Sequence, residues 1–152
     1  MTFNIPGKPQ GKARARTFYN PRLGRSQSVT PEKTVLYESW IKQCFIEQCG
    51  SKPGYFNKEP LRVCIYAYFE ITKSTPKKEA EQMAKGLLLP TKKPDADNIA
   101  KVVCDALNGL AYKDDTQIVN LQIVKRYTKR SPRVSVLINA LQNYEAVSDG
   151  EK

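Results

Sequence analysis

The residues from Leu61 to Ile71 alternate between two kinds of side chain, and this pattern constrains the fold more than any other. Every second position carries an apolar side chain, and most positions between carry polar or aromatic ones. A period of two is that of a β-strand with one buried face. The chain therefore contains a long strand whose apolar side must be covered by other elements.

Other patterns predict three helices and three further strands around it. Thr30 is the expected N-cap of the first helix, with Pro31 at its first helical position. We predict helices over about 31–49, 76–85 and 97–108 and strands over about 2–5, 117–127 and 133–139. Together they indicate a single α+β domain over 1–145, with about four strands in one mixed sheet, helices mainly on one face, and a flexible tail over 146–152.

Size and composition limit the classes of protein. The chain has 152 residues, of which 40% are hydrophobic, and this suits one modest core. The longest apolar run, 86–89, is far too short to span a bilayer, and the first residues do not resemble a secretory signal. We therefore expect a cytoplasmic protein with no membrane partner.

The chain contains no histidine, which removes the commonest general base and zinc ligand. The four cysteines show no C-x-x-C spacing, so we expect buried reduced thiols rather than zinc ligands. Any catalysis must use carboxylates, lysines, hydroxyls, thiols or a metal held by oxygen.

The formal net charge of +10 is unevenly distributed. Residues 1–31 and 116–144 contain no acidic residue. Such basic stretches favour a polyanion, because phosphate contacts release counterions, although a merely soluble basic surface gives the same net charge. Phe18 and Tyr19 follow the first basic run and either stack on bases or belong to the core. The expected DNA contacts in these stretches are Lys8, Lys12, Arg14, Arg16, Lys129 and Arg130.

Acidic residues are concentrated between the two basic stretches. Asp95 and Asp97 flank one residue at a predicted helix start, and Asp114 and Asp115 precede a predicted strand. If that helix and strand pack side by side, the two pairs meet at one end of the sheet. Mutual repulsion then favours a bound cation, and oxygen ligands alone select Mg²⁺ or Mn²⁺. The predicted metal ligands are Asp95, Asp97, Asp115 and Asp114.

Each of these residues also has a purely structural interpretation. Asp97 alone is compatible with a simple helix N-cap. The Asp114–Asp115 pair alone is compatible with a solvated turn. Lys101 alone is compatible with an i,i+4 partner of Asp97 or Asp105.

Three motifs in order resemble a known family. Residues 93–101 read K-P-D-A-D-N-I-A-K, residues 105–109 read D-A-L-N-G, and residues 114–118 read D-D-T-Q-I. At this spacing they resemble the RusA family of Holliday-junction resolvases. The opening I-P-G-K-P-Q-G-K at 5–12 is similar to that of many phage-type members, so the resemblance covers nearly the whole chain up to Asn139.

The resemblance implies a homodimeric, magnesium-dependent endonuclease that nicks two opposing strands of four-way DNA junctions, often encoded by phages or prophages. It makes Asp95, Asp97 and Asp115 the essential metal-site carboxylates and Lys101 a further catalytic residue. It also makes Lys92 and Lys93 the basic residues that precede D-x-D, and we expect both to contact DNA. At two further motif positions, we expect Asn98 to cap or orient a carboxylate and Asp105 to fix the Lys101 ammonium.

Hydrolysis with such residues needs no histidine, because a metal ion activates the attacking water and Lys101 stabilises the transition-state charge. A two-fold dimer suits two symmetry-related nicks. A non-catalytic DNA-binding or regulatory module with the same fold is the alternative. A transferase that holds a nucleotide-sugar diphosphate through Asp95 and Asp97 is disfavoured, because the chain is short and lacks an obvious nucleotide-binding unit.

Overall fold

The computed structural model describes residues 1–51 and 55–142 and forms one α+β domain. The predicted tail, 146–152, lies outside the described residues. No helix in the described ranges is long and apolar enough to cross a membrane. The elements are β1 Thr2–Pro6, β2 Arg16–Asn20, β3 Arg25–Val29, α1 Glu32–Cys49, β4 Leu61–Glu70, α2 Lys77–Ala84, α3 Ala96–Leu107, the 3₁₀ turn Asp115–Gln117, β5 Ile118–Thr128 and β6 Arg133–Ala140.

The four predicted strands form one mixed sheet in the order β1-β6-β4-β5. Strand β4 pairs antiparallel with β6 and parallel with β5. Parallel neighbours need a crossover connection, and α2 and α3 lie in it. Helix α1 packs on β1 and α3, and α3 also packs on β5. The mixed four-stranded α+β prediction is confirmed.

The apolar face of β4 and the apolar stripe of α3 form the centre of the core. Val63, Ile65 and Ala67 of β4 have no exposed surface, as the alternating pattern predicts. On α3 the stripe at i, i+3, i+4, i+7 and i+8 is also fully buried, which confirms the predicted core face. Its members are Ile99, Val102, Val103, Ala106 and Leu107.

Two predicted helix starts are wrong by one or two residues. Pro31, not Thr30, occupies the N-cap position of α1, because proline supplies the non-helical entry without a side-chain cap. Asp95, not Asp97, occupies the N-cap position of α3, so the interpretation of Asp97 as a simple cap is wrong. Gly50, with φ +98°, ends α1 as predicted.

Strands β2 and β3 form a separate two-stranded hairpin that the sequence patterns did not predict. None of their ten residues is buried, so no alternation of apolar and polar side chains marks them. Phe18 and Tyr19 are 48% and 64% exposed, so of the two alternatives for this pair, membership of the core is wrong. The first basic stretch therefore ends in an exposed hairpin.

Candidate functional site

The turn before α3 presents two exposed carboxylates. A cis Lys93–Pro94 peptide leads into Asp95 at the N-cap position, and Asp97 lies in the first helical turn. Asp95 makes no side-chain cap hydrogen bond, and within the described ranges neither carboxylate forms an ion pair. The positive end of the helix dipole favours negative charge at this place. Both carboxylates are therefore held at the surface with their oxygens available to a ligand.

The basic loop between β1 and β2 docks directly against this turn. The Lys12 amide donates a hydrogen bond of 2.9 Å to the Asn98 carbonyl. A Cβ on Gly11 would lie 2.9 Å from the Asn98 Cβ and 3.0 Å from the Pro94 Cβ, so only glycine fits without displacement. Loop and turn border a groove of about 380 Å³ whose lining includes Lys93 and Asp95. Glycine thus brings the basic loop beside the first carboxylate.

The partly exposed side chain of Lys12 is paired with carboxylates of the same chain. Its ammonium forms an ion pair with Asp105 and a second one, at 3.1 Å, with Glu38. Burial alone would lower the pKa of Lys12, but the hydrogen bonds and charges of the two carboxylates outweigh it and raise that pKa. Asp105 was expected to fix Lys101, and this expectation is wrong because Lys12 occupies it. Lys101 is exposed and forms no ion pair with the described residues.

The 3₁₀ turn after α3 gives Asp114 a structural role. Its Oδ1 accepts a 2.9 Å hydrogen bond from the Thr116 amide, and its own amide donates to Gln117 Oε1 at 3.1 Å. This reciprocal cap satisfies backbone groups at the start of the turn. The hydrogen bonds from Thr116 hold the pKa of the Asp114 carboxyl below its ordinary value.

Asp115, the next residue, is exposed and lies in a negative environment. Partial loss of solvent raises the pKa of its carboxyl, and the hydrogen bond and charge of Asp114 and the charge of Asp105 raise that pKa further. Just before this turn, the buried Tyr112 hydroxyl donates a hydrogen bond to the Cys104 carbonyl of α3 at 2.7 Å. A cation bound here would reduce the repulsion between these carboxylates.

The structure thus associates Asp115 with Asp105 and Asp114. Asp105 lies eight residues after Asp97 on α3, which is a rise of about 12 Å along the helix axis. In residues 1–51 and 55–142, no three ligand-type side chains form a group that could hold a metal ion. The convergence of Asp95 and Asp97 with Asp115 stays a prediction. The donor types do fit Mg²⁺ or Mn²⁺, because all three are exposed carboxylates without a cationic partner among the described residues.

A second groove, of about 260 Å³, collects basic side chains on the other side of the Pro94 turn. Lys8, Lys92 and Lys93 line it. The Lys92 ammonium lies 5.7 Å from the centre of the Phe69 ring and 5.6 Å from that of Tyr127, within the range of cation–π attraction. Three of the predicted DNA-contacting lysines are thereby brought together.

Lys125 belongs to this cluster and was not among the predicted DNA contacts. Its ammonium donates to the Lys92 carbonyl and lies 5.4 Å from the Phe69 ring centre. In the parallel pair it stands opposite Ala67, on the core side of the sheet. The signal available in the sequence was a lysine at an inward position of a strand, where an apolar residue is the rule.

The remaining predicted DNA contacts lie at the rim. Lys129 and Arg130 are exposed in the β5–β6 turn, and the Gly7 amide joins that turn to the end of β1 by a 3.0 Å hydrogen bond to the Pro132 carbonyl. Arg14 and Arg16 are exposed where the hairpin begins. The basic residues therefore extend from the hairpin to the β5–β6 turn on either side of the Pro94 turn.

Exposed carboxylates bordered by lysines are typical of enzymes that act on phosphodiesters, because carboxylates can hold a metal ion and lysines can bind phosphate. Comparison with known proteins is consistent with this class. Residues 6–139 match the family model described as Endodeoxyribonuclease RusA, and the chain therefore belongs to the RusA endodeoxyribonuclease family.

A relative is known in Bacillus subtilis (strain 168). The chain is 36% identical over 140 residues to its "Uncharacterized protein YqaN", and the alignment covers 91% of this chain and 94% of the relative. The similarity extends over nearly the full length of both proteins. The family resemblance inferred from the motifs is confirmed.

Proposed function

We propose that the protein is a divalent-metal-dependent endonuclease that resolves four-way DNA junctions by paired symmetric nicks as a homodimer. The proposal rests on one observation in a chain of this nuclease family: the Pro94 turn places a carboxylate and lysines at adjoining grooves. There, Asp95 lies at the border of a groove that also contains Lys93, and a second groove with further lysines adjoins it. A phosphate bound by the lysines would lie next to free carboxylates.

The basic residues bind and orient the DNA in this proposal. Lys8, Lys92 and Lys93 line one groove, and each phosphate that they neutralise releases counterions. The cation–π contacts of Lys92 restrict its side chain, so less freedom is lost when it meets a phosphate. Exposed Lys129 and Arg130 would extend the contact along the same backbone, and Arg14 and Arg16 would extend it toward the hairpin.

The acidic residues would hold the metal ion. The proposed ligands are Asp95, Asp97 and Asp115. Asp114 is left out because one of its carboxylate oxygens accepts the capping hydrogen bond from the Thr116 amide. When bound, Mg²⁺ or Mn²⁺ lowers the pKa of water and offsets charge on the phosphate. Lys101, exposed one turn after Asp97 on α3, would place an ammonium beside the negative charge that develops in the transition state. The proposed leaving group is the 3′ oxygen, so the nick carries a 5′ phosphate.

The test is cleavage of a fixed four-way junction and of a linear duplex by purified protein, with Mg²⁺ and with a chelator. We expect paired cuts in the junction only, and only with the metal. Asp97→Asn should abolish cutting while junction binding is kept or tightened, because a charge opposed to phosphate is removed. Junction binding without cleavage by the wild-type protein would instead favour the non-catalytic DNA-binding module. Equal cutting of both substrates, or cutting in chelator, would contradict the proposal.

A further inference from the structure

The hairpin of β2 and β3, residues 16–29, is a separate unit that the core does not stabilise. Within residues 1–51 and 55–142 its strands pair with each other and with no further strand, and all of their residues are exposed or half-buried. A lone two-stranded hairpin is marginally stable in water. We call this segment the arginine hairpin. Its exposed position leaves it accessible to a binding partner.

Its chemistry is that of a nucleic-acid contact. Cross-strand pairing places Phe18, Arg16 and Arg25 on one face, since Arg16 is two residues before Phe18 and Arg25 pairs with Asn20 two residues after it. Tyr19 lies on the other face between the hydroxyl residues Thr17 and Ser26. Both aromatic rings are about half or more exposed, and residues 1–31 contain no acid.

The tip of the hairpin is ordered by its own hydrogen bonds. The Arg22 amide donates to Asn20 Oδ1 at 3.1 Å, and the Leu23 amide donates to the Asn20 carbonyl at 3.2 Å. Gly24 then takes a φ of +60°, which residues with a side chain rarely adopt. The turn presents Arg22 and the 53% exposed Leu23 at the surface.

The loop that leads into the hairpin is tied to α1 and to the start of α3. The Ala13 amide donates to Thr34 Oγ1 at 3.2 Å, and the Lys12 amide donates to the Asn98 carbonyl, next to Asp97. These bonds hold the loop that enters the hairpin beside the start of α3. DNA held by the hairpin would therefore lie beside the Asp95 and Asp97 carboxylates.

We propose that the arginine hairpin binds the branch point of the DNA, where bases lose a stacking neighbour. Phe18 and Tyr19 would stack on those bases, while Arg16, Arg22 and Arg25 pair with the flanking phosphates. Stacking of this kind tolerates any sequence, and aromatic or apolar wedges stabilise unstacked steps. A second copy of the chain is a poorer occupant, because two acid-free arginine hairpins repel each other. The inference rests on the proposed function and specifies how the branch is distinguished from duplex.

The test measures the affinity of purified full-length protein for a fixed junction and for linear duplex, with chelator present to prevent cutting. Phe18→Ala and Tyr19→Ala should each weaken junction binding by about tenfold and change duplex binding little. Phe18→Trp should bind the junction like the wild type, since it keeps a ring. Leu87→Ala, which removes a 71% exposed apolar side chain outside the hairpin, is the matched control and should change neither affinity.

A fluorescent base analogue, 2-aminopurine, at the branch gives a second readout. Wild type should change its fluorescence on binding, and Phe18→Ala should reduce that change. Unaltered affinity and fluorescence in both alanine variants would overturn the inference, as would conversion of a wild-type dimer to a monomer by Phe18→Ala, which would make the hairpin a subunit contact. If wild type shows the fluorescence change but never cuts with Mg²⁺, the proposed nuclease function fails and the hairpin inference stands.

Discussion

The carboxylates at the two ends of α3 differ in how many contacts they make with the rest of the protein. At its end and in the following turn, Asp105 is neutralised by Lys12 and Asp114 caps a 3₁₀ turn. At its start, Asp95 and Asp97 have neither an ion pair among the described residues nor, for Asp95, a cap hydrogen bond. Folding therefore uses Asp105 and Asp114 at one end, where exposed Asp115 alone has no cationic partner among the described residues, and leaves both aspartates at the other end available. The three motifs together contain five aspartates, and the structure does not give these aspartates equal roles.

The largest effect should come from the free end. Asp97→Asn should lower the rate of junction cleavage by about 10³-fold or more, which abolishes visible cutting, while the unfolding midpoint changes little because Asp97 forms no ion pair with the described residues. Single-turnover cleavage and thermal unfolding of the same preparation measure both quantities. Asp105→Asn is the matched control at the other end, where we expect the stability to fall. If the two variants exchanged these results, the contrast between the ends would be wrong.

Close packing of the basic loop against the turn gives the next effect. Gly11→Ala would force the loop away from Asn98 and Pro94, and we expect cleavage to slow by about tenfold because a shift of this size misplaces the groups that hold the phosphate. Ala15→Ser, in the same loop but exposed, should cut at the wild-type rate. Wild-type cleavage by Gly11→Ala would show that the position of the loop does not matter for the site.

Lys12 tests how far the end of α3 depends on its ion pairs. Lys12→Gln should lower the free energy of unfolding by about 1 kcal/mol at pH 7. Because the pKa of Lys12 is raised in the folded protein, its contribution is fully present below the ordinary lysine pKa and is lost as the pH rises through the raised value. The difference between wild type and variant in urea unfolding should therefore shrink as the pH rises above the ordinary lysine pKa of about 10.5. A difference that did not depend on pH would assign the effect to packing.

The smallest effect should come from Asp114. Asp114→Ala removes the cap and should lower the unfolding midpoint by a few degrees, whereas Asp114→Asn keeps a capping oxygen and should unfold like the wild type. Both should still cut junctions if Asp114 is not a metal ligand. Loss of cleavage in Asp114→Asn with unchanged stability would restore the metal role that the sequence alone predicts for it.

Local patterns in the sequence predicted much of the fold. The alternation in β4 and the apolar stripe on α3 were correct because both elements bury one face, and burial is what these patterns report. The arginine hairpin was missed because it buries nothing. The partner of Asp105 was assigned to Lys101 by helical spacing, but Lys12, 93 residues away in sequence, reaches it instead. Pairing across the fold cannot be read from spacing along one helix.

The central claim is that Asp95, Asp97 and Asp115 hold one divalent cation site. Mn²⁺ titration followed by electron paramagnetic resonance tests it on wild type, Asp97→Asn and Asp115→Asn, with Asp114→Asn as the control. We expect both test variants to lose the same tight site and the control to keep it. Wild-type Mn²⁺ binding by Asp115→Asn would contradict the claim.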